Sequence, residues 1–316
     1  MRRFTTPQKL SGCALAALTV FSSTVASYSG PLANNNRFNN NLNCRSLSST
    51  STTEMTAETS TFTVAQFPCL NDNYGFLLHD PTTGETAAID TPDAKPYKQE
   101  LEERGWKLTH IFNTHHHGDH TDGNLELKET GGVTIYGPIK EKEKIRGIDE
   151  AVGGGDTVQF GPFKAIVMDV GGHTKGHIAF YFPDQKSVFV GDSLFALGCG
   201  KMFEGTAPQF WKTLKGLRDL PDDTVVYCAH EYTASNAKFA MSVEPNNQDL
   251  VDQVAIIKAK RARGEPTVPT ILGEEKKANP FLRVDISEEI RKNIGVTEAD
   301  SEAEAFGKLR KAKDNF

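Results

Sequence analysis

From residue 61 onward, apolar positions gather in short β-rich runs separated by polar turn residues, the pattern of strands. Such runs predict strands at 61–67, 74–79, 86–89, 108–113, 133–136, 157–160, 163–169, 178–182, 187–190 and 225–228. Each is rich in Val, Ile, Phe or Thr and is bounded by Gly, Pro, Asn or Asp, the residues that turn a chain. Helical spacing interleaves them at 94–104, 124–130 and 206–220. Beyond residue 231 the strand signal stops. Helices are predicted at 234–243, 248–263, 287–293 and 301–313, punctuated by Pro245, Pro266, Pro269 and Pro280. Strands with intervening helices predict two sheets covered by helices, an α/β architecture. The pattern divides the chain into a β-rich domain at 60–232 and a small α-helical domain at 233–316. Gly153, Gly154 and Gly155 precede a strand and no helix follows, so they read as a turn rather than a phosphate loop.

Composition changes the picture at the N-terminus. The first 53 residues hold no acidic residue and five basic ones, Arg2, Arg3, Lys9, Arg37 and Arg45, in a Ser-, Thr- and Asn-rich background. That is the composition of an organelle-targeting presequence, placed at 1–58 and expected to be disordered. A mitochondrial address is favoured, because the acid-free stretch runs far past any signal peptide. A secretory signal is the rival, since Arg2 and Arg3 precede an apolar run at 13–25; a plastid address is the other alternative. That run is too short and too broken by Ser and Thr to span a bilayer, and no other segment reads as a membrane span. The formal net charge of −6 argues against a broad nucleic-acid surface. Without the first 53 residues, 30 basic residues stand against 41 acidic ones, a net −11. No nucleic-acid or membrane partner is expected, and the chain is expected to be a monomer. Outside the presequence, Cys69, Cys199 and Cys228 are an odd number at irregular spacing, which fits a reducing compartment rather than a disulfide framework.

The candidate chemistry is concentrated in histidine. Four of nine His fall in one stretch, Thr114-His115-His116-His117-Gly118-Asp119-His120, directly after the apolar Ile111-Phe112. His115 and His117, two apart in extended chain, face the same side, and His116 points away. A helical turn at Gly118 would swing Asp119 and His120 toward a neighbouring position. Three further metal-type residues each follow a predicted strand: His173, Asp192 and His230. Taken singly, each has an ordinary reading, as a loop residue, a helix cap and a satisfied core histidine. Their shared position after strands, where α/β folds place their sites, points to one common site. The set exceeds the needs of one tetrahedral ion and leaves room for a pair. His79 and His110 read as strand or edge residues. His177 reads either as a partner of a metal ligand or as core.

The ordered set His115-x-His117-x-Asp119-His120, His173, Asp192 and His230 resembles that of the metallo-β-lactamase family. The resemblance implies a four-layer αββα sandwich with a C-terminal α-helical domain. It also implies that His115, His117 and His173 hold one metal, that Asp119, His120 and His230 hold a second, and that Asp192 bridges them. A narrower resemblance is to glyoxalase II, the hydroxyacylglutathione hydrolases. It rests on Asn71-Asp72-Asn73-Tyr74, Gly191-Asp192-Ser193-Leu194-Phe195, Gly198-Cys199-Gly200-Lys201, Phe203-Glu204-Gly205-Thr206 and His230-Glu231-Tyr232-Thr233. Glu265-Pro266-Thr267-Val268-Pro269 and Asn279-Pro280-Phe281 extend it into the helical part.

That resemblance implies hydrolysis of S-(2-hydroxyacyl)glutathione thioesters, such as S-D-lactoylglutathione, by a metal-bridging hydroxide, in methylglyoxal detoxification. Asp119 and Asp192 are the implied catalytic residues. Two divalent ions are implied, zinc or alternatively iron or manganese, all suited to imidazole and carboxylate. Thioester hydrolysis suits such a site, because a thiolate leaves with little help from an acid. The implied glutathione contacts are Lys201, Phe203 and Tyr232, with Arg310 and Lys313 reaching in from the last helix. Two departures stand out: Phe203 where the family often has Tyr, and Gly172 before His173 where Cys is common. The rival on the same fold is a mononuclear-iron persulfide dioxygenase, which would need neither a full second metal site nor the long helical domain.

Overall fold

The computed structural model describes residues 61–316; the segment expected to be a presequence lies outside the described residues. Six strands build a first sheet in chain order: β1 (Thr63–Cys69), β2 (Asn73–His79), β3 (Thr86–Ile89), β4 (His110–Phe112), β5 (Thr134–Pro138) and β6 (Glu150–Val152). β1 to β3 are antiparallel neighbours, whereas β3 to β6 run parallel. The parallel connections carry the short helices that crossovers require: α1 (Ala94–Arg104), then α2 (Gly118–Thr121) and α3 (Asn124–Lys128).

The second sheet takes β7 (Thr157–Phe160), β8 (Phe163–Asp169), β9 (Ile178–Phe182) and β10 (Ser187–Gly191) as an antiparallel meander. After a small hairpin, β11 (Leu194–Phe195) and β12 (Gly198–Cys199), comes α4 (Ala207–Arg218). The chain then returns as β13 (Val225–Cys228), parallel to β10. The helical remainder contributes β14 (Thr270–Ile271), antiparallel to β13, at the sheet's edge. Its helices are α5 (Thr233–Val243), α6 (Gln248–Ala262), α7 (Leu272–Ala278), α8 (Glu288–Asn293) and α9 (Glu302–Asp314).

Side-chain alternation explains the layering. In β2, Phe76 and Leu78 join the core shared with the second sheet, where they meet the cluster of Phe180, Phe182, Val188 and Phe189. Leu77 between them belongs to a separate cluster with Tyr97 and Leu101 of α1 and Leu127 of α3. On the other side, Phe210, Trp211, Leu214 and Leu217 of α4 fall at helical spacing and join Phe306 and Leu309 of α9. The result is a four-layer αββα sandwich with helices at its C-terminal end. α4 begins at the Thr206 cap with Pro208 in its first turn, and α9 begins with a Ser301–Glu304 capping box.

The strand signal does not end at residue 231, because β14 completes the second sheet. A two-residue strand has no period to read, which also hides β11 and β12, and the three-residue β6 fares little better. The parallel pairing has one consequence for function: chains leaving β3, β4, β10 and β13 all exit along one rim of the sandwich.

Candidate metal centre

Along that rim the loops deliver their polar side chains to one place. His115 and His117 follow β4, and Asp119 and His120 lie in α2. His173 sits between β8 and β9, Asp192 directly follows β10, and His230 follows β13. All seven converge. His117 Nδ1 lies 3.1 Å from His115 Nε2 and 3.0 Å from His173 Nε2. A tetrahedral ion with bonds of ~2.0–2.1 Å keeps its nitrogens about 3.3 Å apart, close to this spacing. Asp119 Oδ2 lies 3.7 Å from His120 Nε2 and 3.5 Å from His230 Nε2. Asp192 stands between the two trios. Its Oδ2 is 3.4 Å from His173 Nε2, and its Oδ1 is 3.5 and 3.3 Å from the Nε2 atoms of His120 and His230.

The donors fit a pair of cations. His120 Nε2 and Asp192 Oδ1 are buried and have no hydrogen-bond partner, a costly state for polar atoms unless a cation completes it. The outer nitrogens, by contrast, are anchored. His120 Nδ1 is 2.8 Å from Asp90, His230 Nδ1 is 2.8 Å from Asp72, and His173 Nδ1 is 2.8 Å from the Lys201 carbonyl. Such outer partners fix the tautomer and aim the inner nitrogen at the metal.

Charge follows the same division. Burial lowers the pKa of His115, His117 and His173, keeping these imidazoles neutral and their lone pairs free. Burial also opposes charge on His120, but Asp90, Asp192 and Asp119 outweigh it and push that imidazole up to about 9. The negative field responsible is one that a metal cation would meet. His115 and His120 are fully buried, while His117 and Asp119 are only half-buried, so the site opens on their side.

Phe203 flanks the opening, edge-on to His117 and His173 at 5.8 and 5.2 Å, with Lys201 Nζ over its ring at 5.2 Å. Tyr232 stacks on His230 at 4.6 Å on the other flank. Arg310 and Lys313 are placed differently. Arg310 is buried, donates to the Cys199 carbonyl at 2.9 Å and pairs with Asp314. Lys313 donates to the carbonyl and hydroxyl of Ser235. Arg310 thus ties α9 to β12, and Lys313 ties it to α5. The described cysteines are free and buried; burial pushes the Cys199 thiol up to about 11, so it is no nucleophile.

His116 turns away from the centre to Glu141, His79 stacks on Trp106, and His110 opens β4. His177, open to two readings from sequence, is fully buried, stacks on His115 at 4.4 Å and accepts the Asp192 backbone N–H at 3.1 Å. Sequence reasoning missed Asp90. Its carboxylate holds His120 together with the backbone N–H and hydroxyl of Thr114, and its own φ is +52°. It follows β3 just as Asp192 follows β10, so the strand-end rule extends to it. Asp72 lies inside the Asn71-Asp72-Asn73-Tyr74 motif and gave no separate signal.

The sequence matches the metallo-beta-lactamase superfamily over residues 75–230 and the hydroxyacylglutathione hydrolase C-terminus over residues 231–316. It is 53% identical to the hydroxyacylglutathione hydrolase of Hyphomonas neptunium over 80% of this chain and 98% of that protein. It is 54% identical to that of Erythrobacter litoralis over 80% and 99%. Among solved structures, ETHE1 from Myxococcus xanthus superposes with a TM-score of 0.55 at 26% identity, covering 78% of this chain and 98% of that one. A metallo-beta-lactamase from Staphylococcus aureus, at 22% identity and TM-score 0.56, covers 80% and 71% and shares the fold. Matched along both its β-rich and its helical part, and by relatives almost end to end, the chain belongs to the hydroxyacylglutathione hydrolase family of the metallo-beta-lactamase superfamily.

Proposed function

We propose that this protein hydrolyses S-(2-hydroxyacyl)glutathione thioesters, S-D-lactoylglutathione foremost, giving the hydroxy acid and free glutathione. One observation carries the chemistry: the Asp192 carboxylate lies between two trios of metal-type side chains, one oxygen toward each. In this reading His115, His117 and His173 would hold one ion, Asp119, His120 and His230 would hold the other, and Asp192 would serve both. Zinc is the proposed metal, and the same donors accept iron or manganese. When bound, such a pair supplies Lewis acidity and an acidified water near neutral pH.

The chain's own groups prepare that chemistry. By bonding the outer nitrogens of His120 and His230, Asp90 and Asp72 aim the inner ones, so no reorganisation is needed at the moment of reaction. His177 fixes the backbone of Asp192. Burial opposes charge on the Asp192 carboxyl, but the His230, His120 and His173 imidazoles outweigh it and hold that group far below the usual carboxylate range. A thiolate from a thiol of pKa about 8.5 departs without a protonated acid beside it. Lys201 offers a cation and Tyr232 a hydroxyl at the opening, where a ligand with two carboxylates would dock. From α9, Lys313 is proposed to reach that pocket, while the buried Arg310 holds the Cys199 carbonyl. All seven inner side chains come from one chain, so a monomer suffices.

The direct test is steady-state hydrolysis of S-D-lactoylglutathione by the purified chain beside Asp192→Ala. The expected result is turnover that falls at least about 100-fold in the variant, beyond the 10–100-fold typical of an outer partner. Absence of turnover with this or any glutathione thioester overturns the substrate assignment. The acid-free N-terminal stretch is proposed to direct the chain to mitochondria; a fusion of residues 1–58 that leaves a fluorescent protein in the cytosol overturns that address.

A further inference from the structure

We infer that Glu141 is a positioning residue that sets the first metal trio from outside it, by stapling together the two loops that carry His115, His117 and His173. The inference rests on the two-metal reading above. Glu141 lies in the short 3-10 helix Ile139–Lys144 and is only 3% exposed. Its Oε2 accepts the His116 backbone N–H at 3.0 Å and the His116 ring N–H at 2.7 Å. Its Oε1 accepts the Gly176 N–H at 2.8 Å. One carboxylate therefore spans two loops: His116 stands between His115 and His117, and Gly176 lies three residues after His173. The approach is close enough to require glycine, since a Cβ on residue 176 would sit 2.6 Å from Glu141 Cγ.

A second carboxylate closes the arrangement. Glu204 Oε2 accepts the Lys175 N–H at 3.1 Å, and the Phe203 and Glu204 N–H groups donate to the His173 carbonyl at 3.3 Å. His116 lies between the two acids, with its Nε2 3.7 Å from Glu204 Oε1. His116, Glu141 and Glu204 resemble a further metal site, but Lys144 occupies the place of the cation. Its Nζ is 3.1 Å from Glu204 and 3.5 Å from His116 Nε2. The cluster is thus a hydrogen-bonded clamp in which His116 and Lys144 join the two carboxylates. A buried carboxylate satisfied by three N–H donors is expensive to disturb, which makes it a stiff spacer.

The clamp acts on one trio only. His230 has its own anchor in Asp72, and His120 has one in Asp90, which also holds Thr114 beside His115. Loosening Glu141 should therefore weaken the ion at His115, His117 and His173 and spare its neighbour. In Glu141→Gln an amide NH₂ faces N–H donors, so at least one of the three is left unpaired.

The test equilibrates the metal-loaded full-length chain with graded concentrations of a chelator and reads each ion's occupancy from anomalous scattering in crystals. In Glu141→Gln, the ion at His115, His117 and His173 is expected to leave at about 10–100-fold lower chelator concentration, the other ion unchanged. Asp72→Asn, which loosens His230 alone among the seven inner side chains, is expected to show the mirror pattern. Equal weakening of both ions, or of neither, overturns the inference. Should Glu141→Gln fail to fold, Glu204→Gln probes the same clamp through Lys175 and must show the same selective loss in smaller degree; an unselective loss overturns it equally. A wild-type chain that never holds two ions brings down the two-metal reading itself, a failure distinct from that of the clamp.

Discussion

Gly172 shows how one residue can decide the site. It sits at φ +154°, which side-chain-bearing residues rarely adopt, and a Cβ there would overlap the ring of Phe210. The resembled family often has Cys at this place; here Phe210 fills the room. Gly172→Ala is expected to cost roughly 2–4 kcal/mol from strain and overpacking together, and to displace His173. Denaturant unfolding measures the first effect and residual activity the second; a variant of native stability and activity contradicts the account. Phe203 makes the opposite case. It is 60% exposed at the opening and lacks the hydroxyl that the family often carries there. Phe203→Tyr adds one donor toward a bound ligand, worth about 0.5–1.5 kcal/mol, so KM is expected to fall about 2–10-fold with kcat nearly unchanged. Steady-state kinetics reads this, and an unchanged KM removes Phe203 from the substrate's path.

At the scale of elements, the hairpin β11–β12 links Asp192 to Lys201, and α7 holds it. Glu275, buried in α7, accepts the Leu197 N–H at 2.8 Å, the Asn279 amide at 3.0 Å and the Thr270 hydroxyl at 2.7 Å. Asn279 also donates to the carbonyls of Phe195 and Gly198. Burial among neutral donors raises the Glu275 pKa above its ordinary value. A raised folded-state pKa gives stability that is full below the unfolded value and is lost as pH rises through the folded one. Glu275→Gln keeps the shape and can satisfy the same partners without titrating. Its stability advantage over the wild type is therefore expected to be larger at about pH 8 than at about pH 4.5. Unfolding curves at both pH values check this, and a pH-independent difference contradicts it. Elements such as α7 were the least legible in the sequence. Longer β-rich runs, such as the alternating β8 and the apolar β9, announced themselves, whereas β6, β11, β12 and β14 are too short to show a pattern. The inner side chains were legible because each follows a strand. Glu141 was not, because its partners are backbone N–H groups 25 and 35 positions away, and backbone groups leave no mark on a sequence.

Across the whole molecule, the sandwich rim gathers side chains from several loops, and a bound cation pair would tie those loops together. Metal binding is then part of folding stability. Stripping the metal is expected to remove about 2.7 kcal/mol for each ion when free metal stands at about 100 times its dissociation constant. For a folded body of this size each ion then accounts for a melting-temperature drop of roughly 5–10 °C, visible by calorimetry and reversed on adding metal back. An unchanged melting temperature would mean that the loops need no ion. The helical C-terminal part belongs to the same reasoning, since it supplies β14 to the second sheet and, with Phe306 and Leu309, part of the shared core. The central claim is that seven side chains hold two ions for hydrolysis, and counting ions on the working enzyme tests it most directly. Elemental analysis of the purified, active chain should give about two metal ions per molecule, with glutathione released from the thioester and no oxygen consumed. One iron per chain together with oxygen uptake would contradict it.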